Sequence, residues 1–163
     1  MLRRWQLSKR DKKRLLEKLA ETYPGLSVGE LRDARIEKLV EDDVEMYIVD
    51  SLPAFIEAGE RFVPHLLYLL RRGYSWLPYI VVDEGAVKPI SRGADLMRPG
   101  IVEVVGEFSP GDIVVIVEPS RRLPLAVHEA LISSKDIPGM EKGRVSRRLH
   151  YVGDRYWKIA ERL

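Results

Sequence analysis

The sequence predicts an α+β N-terminal domain over residues 1–77, followed by a mainly β domain with short helices over residues 78–163. Three observations carry this. A charged, amphipathic helical stretch and a β meander fill the first half. After Ser75-Trp76-Leu77-Pro78, short apolar runs recur between glycines and prolines, the texture of a sandwich or small barrel. At 163 residues, 45% apolar and 32% charged, the chain suffices for one domain or two small ones.

Ser8 opens a helix, with Asp11 three residues on in capping-box position. Leu15, Leu16, Leu19, Ala20 and Tyr23 form its apolar face, and Pro24-Gly25 stops it. Residues 31–40 read as a strand, because an acidic turn at Asp42-Asp43 leads into the β run Val44–Val49. Ala54-Phe55-Ile56 adds a third strand. Pro64 suits the first position of a second helix carrying Leu66, Leu67, Leu69 and Leu70. Arg71 and Arg72 complement its dipole, and Gly73 supplies the cap.

In the second half, Tyr79–Val82, Ala86–Ile90, Ile101–Val105, Ile113–Val117, Leu125–Val127, Leu149–Val152 and Tyr156–Ile159 read as strands. Ile113–Val117 does not alternate, so burial on both faces is expected. Residues 91–100 leave room for one short helix.

Twenty-seven basic and 25 acidic side chains nearly balance, but not locally. Residues 1–18 hold eight basic and two acidic groups, and residues 142–148 hold four basic and none acidic. Nucleic-acid binding would therefore come from patches. Without cysteine there is no disulfide, thiolate zinc site or cysteine nucleophile. His65, His128 and His150 lack metal-ligand spacing and read as a helix-surface group, a strand-face group and a sheet-bonded group. No Gly-x-Ser-x-Gly, phosphate loop or Gly-x-Gly-x-x-Gly occurs, so neither an enzyme nor a cofactor is expected. No apolar run approaches the ~20 residues of a membrane span. With no signal-peptide pattern read at Met1–Trp5, the expectation is a cytoplasmic protein.

The densest constellation is residues 88–100. Lys88 ends a strand, Arg92 follows, and Gly93-Ala94-Asp95 opens a short helix whose free N–H groups suit phosphate, with Arg98 adding charge. The same residues suit equally a tight turn whose glycine supplies positive φ. Lys142-Gly143-Arg144-Val145-Ser146-Arg147-Arg148 is a second basic patch, in form a loop of solvated arginines entering a strand.

The block Val87–Ile101, with Phe108–Val114, Pro124–Val127 and Leu149–Asp154 followed by Trp157, resembles a PUA domain, the RNA-binding module of pseudouridine synthases and archaeosine transglycosylases. Phe62–Leu67, Leu77-Pro78 and Val82–Lys88 extend the resemblance to the MCT-type translation factors, named for malignant T-cell amplified sequence, over nearly the whole chain. The resemblance implies a PUA pseudo-barrel behind an α/β domain, and a non-catalytic RNA-binding protein. Structured RNA, a tRNA or rRNA, is the implied ligand, in translation initiation, reinitiation or tRNA handling. The small ribosomal subunit and a translation-factor partner are the implied company. Carried over by position, the RNA face comprises Lys88, Arg92, Gly93, Ala94, Asp95, Arg98 and Gly100. Lys142, Arg144 and Arg147 join it from the second patch. His128 stands where the family often has glycine, so no ligand contact is assigned there. A protein–protein adaptor on the ribosome and an accessory protein of RNA modification are the alternatives.

Overall fold

The computed structural model describes all 163 residues, which divide into two compact units, Met1–Trp76 and Leu77–Leu163. The first is an antiparallel sheet of five strands in chain order: β1 (Arg3–Gln6), β2 (Ile36–Glu41), β3 (Val44–Val49), β4 (Leu52–Ala58) and β5 (Arg61–Pro64). Helix α1 (Lys9–Thr22) lies between β1 and β2 in the chain, and α2 (Leu66–Arg72) follows β5.

Ser8 caps α1 as its residue type predicts, its Oγ accepting the Asp11 N–H at 3.1 Å. Leu15, Leu16, Leu19 and Tyr23 are buried. The Tyr23 hydroxyl donates to the Phe62 carbonyl, and its ring meets Trp76 edge-on at 5.2 Å. Trp76 is thus a half-buried ring packed against the Tyr23 and Phe55 rings of this core.

Three expectations for this half need correction, and two strands were not expected. Strand β2 begins only at Ile36, because Val28–Leu31 winds into a 3-10 turn that buries Leu31. Pro64 ends β5 instead of starting a helix. His65 is the N-cap of α2, its Nδ1 accepting the Leu67 N–H at 3.1 Å, and it is fully buried, not a helix-surface group. The edge strands β1 and β5 have no periodic apolar signal long enough to reveal them.

The second unit is a six-stranded mixed sheet in the order β7-β11-β10-β9-β6-β8. Its strands are β6 (Tyr79–Val82), β7 (Leu96–Met97), β8 (Ile101–Val105), β9 (Ile113–Val117), β10 (Pro124–Ala130) and β11 (Arg144–Tyr151). Only β6 and β9 run parallel. Strands β7 and β8 occupy opposite edges, yet a single 3-10 turn, Arg98–Gly100, joins them. A flat sheet would separate its edges by about 24 Å, whereas three residues reach only about 10 Å. The sheet must therefore curl, giving the half-barrel. Strand β9 lines its centre and is buried along its whole length, as its unbroken apolar run requires.

Two of the expected strands are helices. Ala86–Ile90 lies in α3 (Glu84–Ser91) and Tyr156–Ile159 in α4 (Arg155–Glu161). Each follows an aspartate N-cap: Asp83 Oδ1 accepts the Ala86 N–H and Asp154 Oδ1 the Trp157 N–H, both at 2.9 Å. The expected short helix within 91–100 is only the 3-10 turn.

Candidate nucleic-acid interface

Helix α3 ends in a Schellman motif. The Gly93 N–H donates to the Ile90 carbonyl at 3.1 Å and the Ala94 N–H to the Pro89 carbonyl at 3.0 Å. Gly93 takes φ +96°, and a Cβ there would lie 2.6 Å from Arg148 Nη1 and 2.8 Å from Tyr151 Cζ. Glycine is needed twice over, for the backbone angle and for the close approach. The chain thus passes from helix to strand here. The expected strand at Lys88 and helix start at Gly93–Asp95 are both reversed: Lys88 sits in the last turn of α3, and Arg92 is its C-cap.

Asp95 then latches the turn to β11. Its Oδ1 accepts the Arg148 N–H at 2.9 Å, and its Oδ2 meets Arg144 Nη1 at 3.1 Å. Partial burial works against ionisation of Asp95. The Arg148 N–H and the Arg144 guanidinium outweigh it and hold the carboxyl below its usual range. Strand β7 continues the latch by pairing Leu96 with Ser146 and Met97 with Arg144. Residues 88–100 and 142–148, separate patches in the sequence, are therefore one surface.

Individual residues of that surface differ in role. Arg98 is turned to structural use: its Nε donates to the Ile137 and Met140 carbonyls at 3.0 and 3.1 Å, holding the loop before β11. Gly100 accommodates Ala86, whose Cβ would stand 3.1 Å from an added methyl. Arg147 pairs with Glu129 at 2.9 Å. The segment 144–148 is strand, not loop. Lys88, Arg92 and Lys142 are exposed, and their side chains form no ion pair or hydrogen bond within the fold. Two residues outside the expected set join them. Arg148 lies over the Tyr151 ring at 5.4 Å, a planar cation on an aromatic face beside Gly93. The signal for Tyr151 was its place at the end of a strand flanked by arginines.

Beneath this surface His128 is fully buried, with Nδ1 2.8 Å from Ser146 Oγ and Nε2 unpartnered. Burial lowers its pKa to about 3, against a small opposing pull from Asp95. It is neutral at physiological pH. His150 bonds Asp154 Oδ2 through Nδ1 at 2.8 Å. No group of histidines and carboxylates in the structure is arranged to hold a metal ion. No helix is long and apolar enough to cross a membrane.

Comparison with known proteins matches residues 78–152 to the PUA domain and residues 3–72 to a domain of unknown function (DUF1947). An uncharacterized protein of Methanocaldococcus jannaschii is 32% identical over 160 residues, covering 96% of each chain. Translation machinery-associated protein 20 of Saccharomyces cerevisiae is 29% identical over 157 residues, 90% of this chain and 86% of its own. Malignant T-cell-amplified sequence 1 of Rattus norvegicus is 28% identical over 121 residues, 72% of this chain and 66% of its own. Among solved structures, a PUA domain protein of Aeropyrum pernix, crystallised as a tartrate complex, superposes with a TM-score of 0.87 at 32% identity. That match covers 99% of this chain and 92% of the other.

Proposed function

The chain belongs to the family that joins a DUF1947 domain to a PUA domain, and from that premise we propose that it is a non-catalytic RNA-binding protein of the translation machinery. Its ligand is a structured RNA, a tRNA or rRNA, met in initiation, reinitiation or tRNA handling. The small ribosomal subunit and a translation-factor partner are its proposed company, and the cytoplasm its place.

The observation that carries this reading is the Asp95 latch, which merges two basic segments some 50 residues apart into one rigid surface. Lys88, Arg92 and Lys142 have no internal partner and are available to phosphate. Arg148 on Tyr151 offers a flat face to a base or ribose. Arg144 and Arg147 are held by carboxylates and contribute field more than contacts. The work is binding: cations and backbone position the phosphates, and shape and 2′-OH contacts select folded RNA.

The test is binding of the full chain to tRNA, with and without its 3′ end, across a salt series. End-dependent affinity that falls steeply with salt is expected. Lys88→Glu with Arg92→Glu should weaken it at least tenfold while leaving the fold intact, since neither side chain holds anything together. Unchanged affinity in that variant removes the assigned face.

A further inference from the structure

Helix α1 carries its charges against its own dipole. Lys9, Arg10, Lys12, Lys13 and Arg14 crowd the first turns, where the helix end is positive, while Glu17 and Glu21 lie toward the negative end and the last turn has no basic residue. Lys9–Lys13, Arg10–Arg14 and Arg14–Lys18 are like-charge pairs at i, i+4, each destabilising to a helix. Lys12 is taken up inside the unit, donating to the Arg32 and Ala34 carbonyls. The side chains of Lys9, Arg10, Lys13, Arg14 and Lys18 form no ion pair or hydrogen bond. Lys13–Glu17 is the one opposite-charge i, i+4 pair that offsets them, so on balance the five cations cost helix stability and none is taken up by an ion pair.

Their placement is ordered. At 100° per residue they spread over about half the helix circumference, opposite Leu15, Leu16 and Leu19. Arg10, Arg14 and Lys18 form a single row. On the flank of this ridge a groove of about 320 Å³ is lined by Trp5, Arg14, Lys18, Lys38, Tyr47 and Phe62, with Asp11 and Glu57 among the remaining wall. Glu57 is already engaged by Lys38 at 3.8 Å and by the Tyr47 hydroxyl at 3.1 Å. Trp5, on edge strand β1, is 42% exposed with the Arg3 guanidinium 5.9 Å from its ring centre.

We propose that the α1 ridge and Trp5 form a second RNA site, in the N-terminal unit, that takes a single-stranded segment. Phosphates follow the Arg10-Arg14-Lys18 row and a base stacks on Trp5. A row of unpaired cations beside an accessible aromatic ring is the combination that single-stranded polynucleotides require. An acidic protein partner would use the cations but gives no reason for a tryptophan held open under an arginine. This site stands on its own residues and does not depend on the reading of residues 88–148.

The test uses the full chain, a labelled 12-nucleotide oligouridylate and a salt series. The variant Arg10→Glu/Arg14→Glu/Lys18→Glu should bind at least tenfold more weakly, with a salt slope smaller by about 2, three single-strand contacts at roughly 0.7 each. Arg10→Glu places a carboxylate in the first turn, which suits the dipole, and the remaining changes exchange one like-charge i, i+4 row for another of opposite sign, so circular dichroism should show helicity retained. Quenching of tryptophan fluorescence by the oligonucleotide should vanish in Trp5→Phe, which keeps an aromatic platform, while Trp5→Ala loses affinity fivefold or more. The Lys88→Glu/Arg92→Glu chain, run on the same probe, should retain this binding, which separates the two sites. Full affinity and an unchanged salt slope in the triple variant, or quenching that survives in Trp5→Phe, overturns the proposal. So does a triple variant that keeps RNA affinity and loses only an acidic protein ligand.

Discussion

Asp95 accepts the backbone N–H of Arg148 across 53 residues of sequence, and so fixes the turn after α3 against strand β11. An acidic residue inside a basic surface is costly to phosphate binding unless it serves as a clamp. The two roles predict opposite outcomes for Asp95→Asn. As a mere charge, its loss should tighten RNA binding. As a clamp, its loss frees Arg144 and leaves the Arg148 N–H with a weaker acceptor. Urea unfolding should then show about 1–3 kcal/mol of destabilisation, and RNA affinity should fall despite the added positive charge. We expect the second outcome.

Gly93→Ala tests the same turn from its other side. A left-handed backbone angle costs an L-residue about 1–2 kcal/mol, and the new methyl must also displace Arg148 or the Tyr151 ring. The expected result is a lowered urea midpoint for the second unit, with disturbed amide signals at Arg148 and Tyr151. Gly111 has positive φ but nothing within 4 Å of an added Cβ. Gly111→Ala should therefore pay the backbone cost alone and leave those signals in place.

How far the sequence reaches is clearest in the second unit. Five consecutive aliphatics specify β9 because no other element buries both faces so completely. Runs of four or five apolar residues do not by themselves distinguish strand from helix. Ala86–Ile90 and Tyr156–Ile159 went to the wrong class for that reason, although Asp83 and Asp154 stood at capping distance before them. Strand β1 is exposed at every residue and exists because β2 offers it a ladder, which no local pattern records. For the site, the cations themselves were legible. Which of them are consumed was not, because their partners are remote: Asp95 for Arg144, Glu129 for Arg147, two loop carbonyls for Arg98.

The buried histidine beneath the surface predicts a pH dependence. In the unfolded chain His128 takes up a proton near pH 6.5, whereas in the fold it resists protonation down to about 3. The unfolded state therefore binds more protons throughout that window, and stability must fall as pH drops through it. The full loss is at most about 5 kcal/mol, reached near pH 3. Asp95, Asp154 and Glu37, all held below the usual carboxylate range, begin to lose their stabilisation as pH falls through the ordinary carboxylate range, where the unfolded chain protonates, and go on losing it down through their own lowered values. Between pH 6.5 and about 5, above the carboxylate window, the slope should thus belong mainly to His128. Urea titrations of His128→Met across that interval should be flatter than those of the parent chain, and an equally steep slope would assign the effect elsewhere.

Glu37 controls the strand that carries Trp5. It is buried on β2 and receives two guanidinium groups, Arg4 from β1 and Arg35 at 2.7 Å. Burial works against its ionisation, but the two arginines prevail and keep its carboxyl below the usual range. Arg4 is the side-chain tie between the edge strand and the sheet, and removing its acceptor leaves β1 with backbone pairing to β2 alone. Glu37→Ala should therefore raise amide exchange selectively at Arg3–Gln6, while β3 and β4 stay protected. If the α1 ridge and Trp5 act together, the same variant should weaken oligouridylate binding without touching a single cation of α1. Rapid exchange at β1 with undiminished binding would show that Trp5 needs no fixed strand beneath it. Slow exchange would show that the backbone ladder holds β1 unaided.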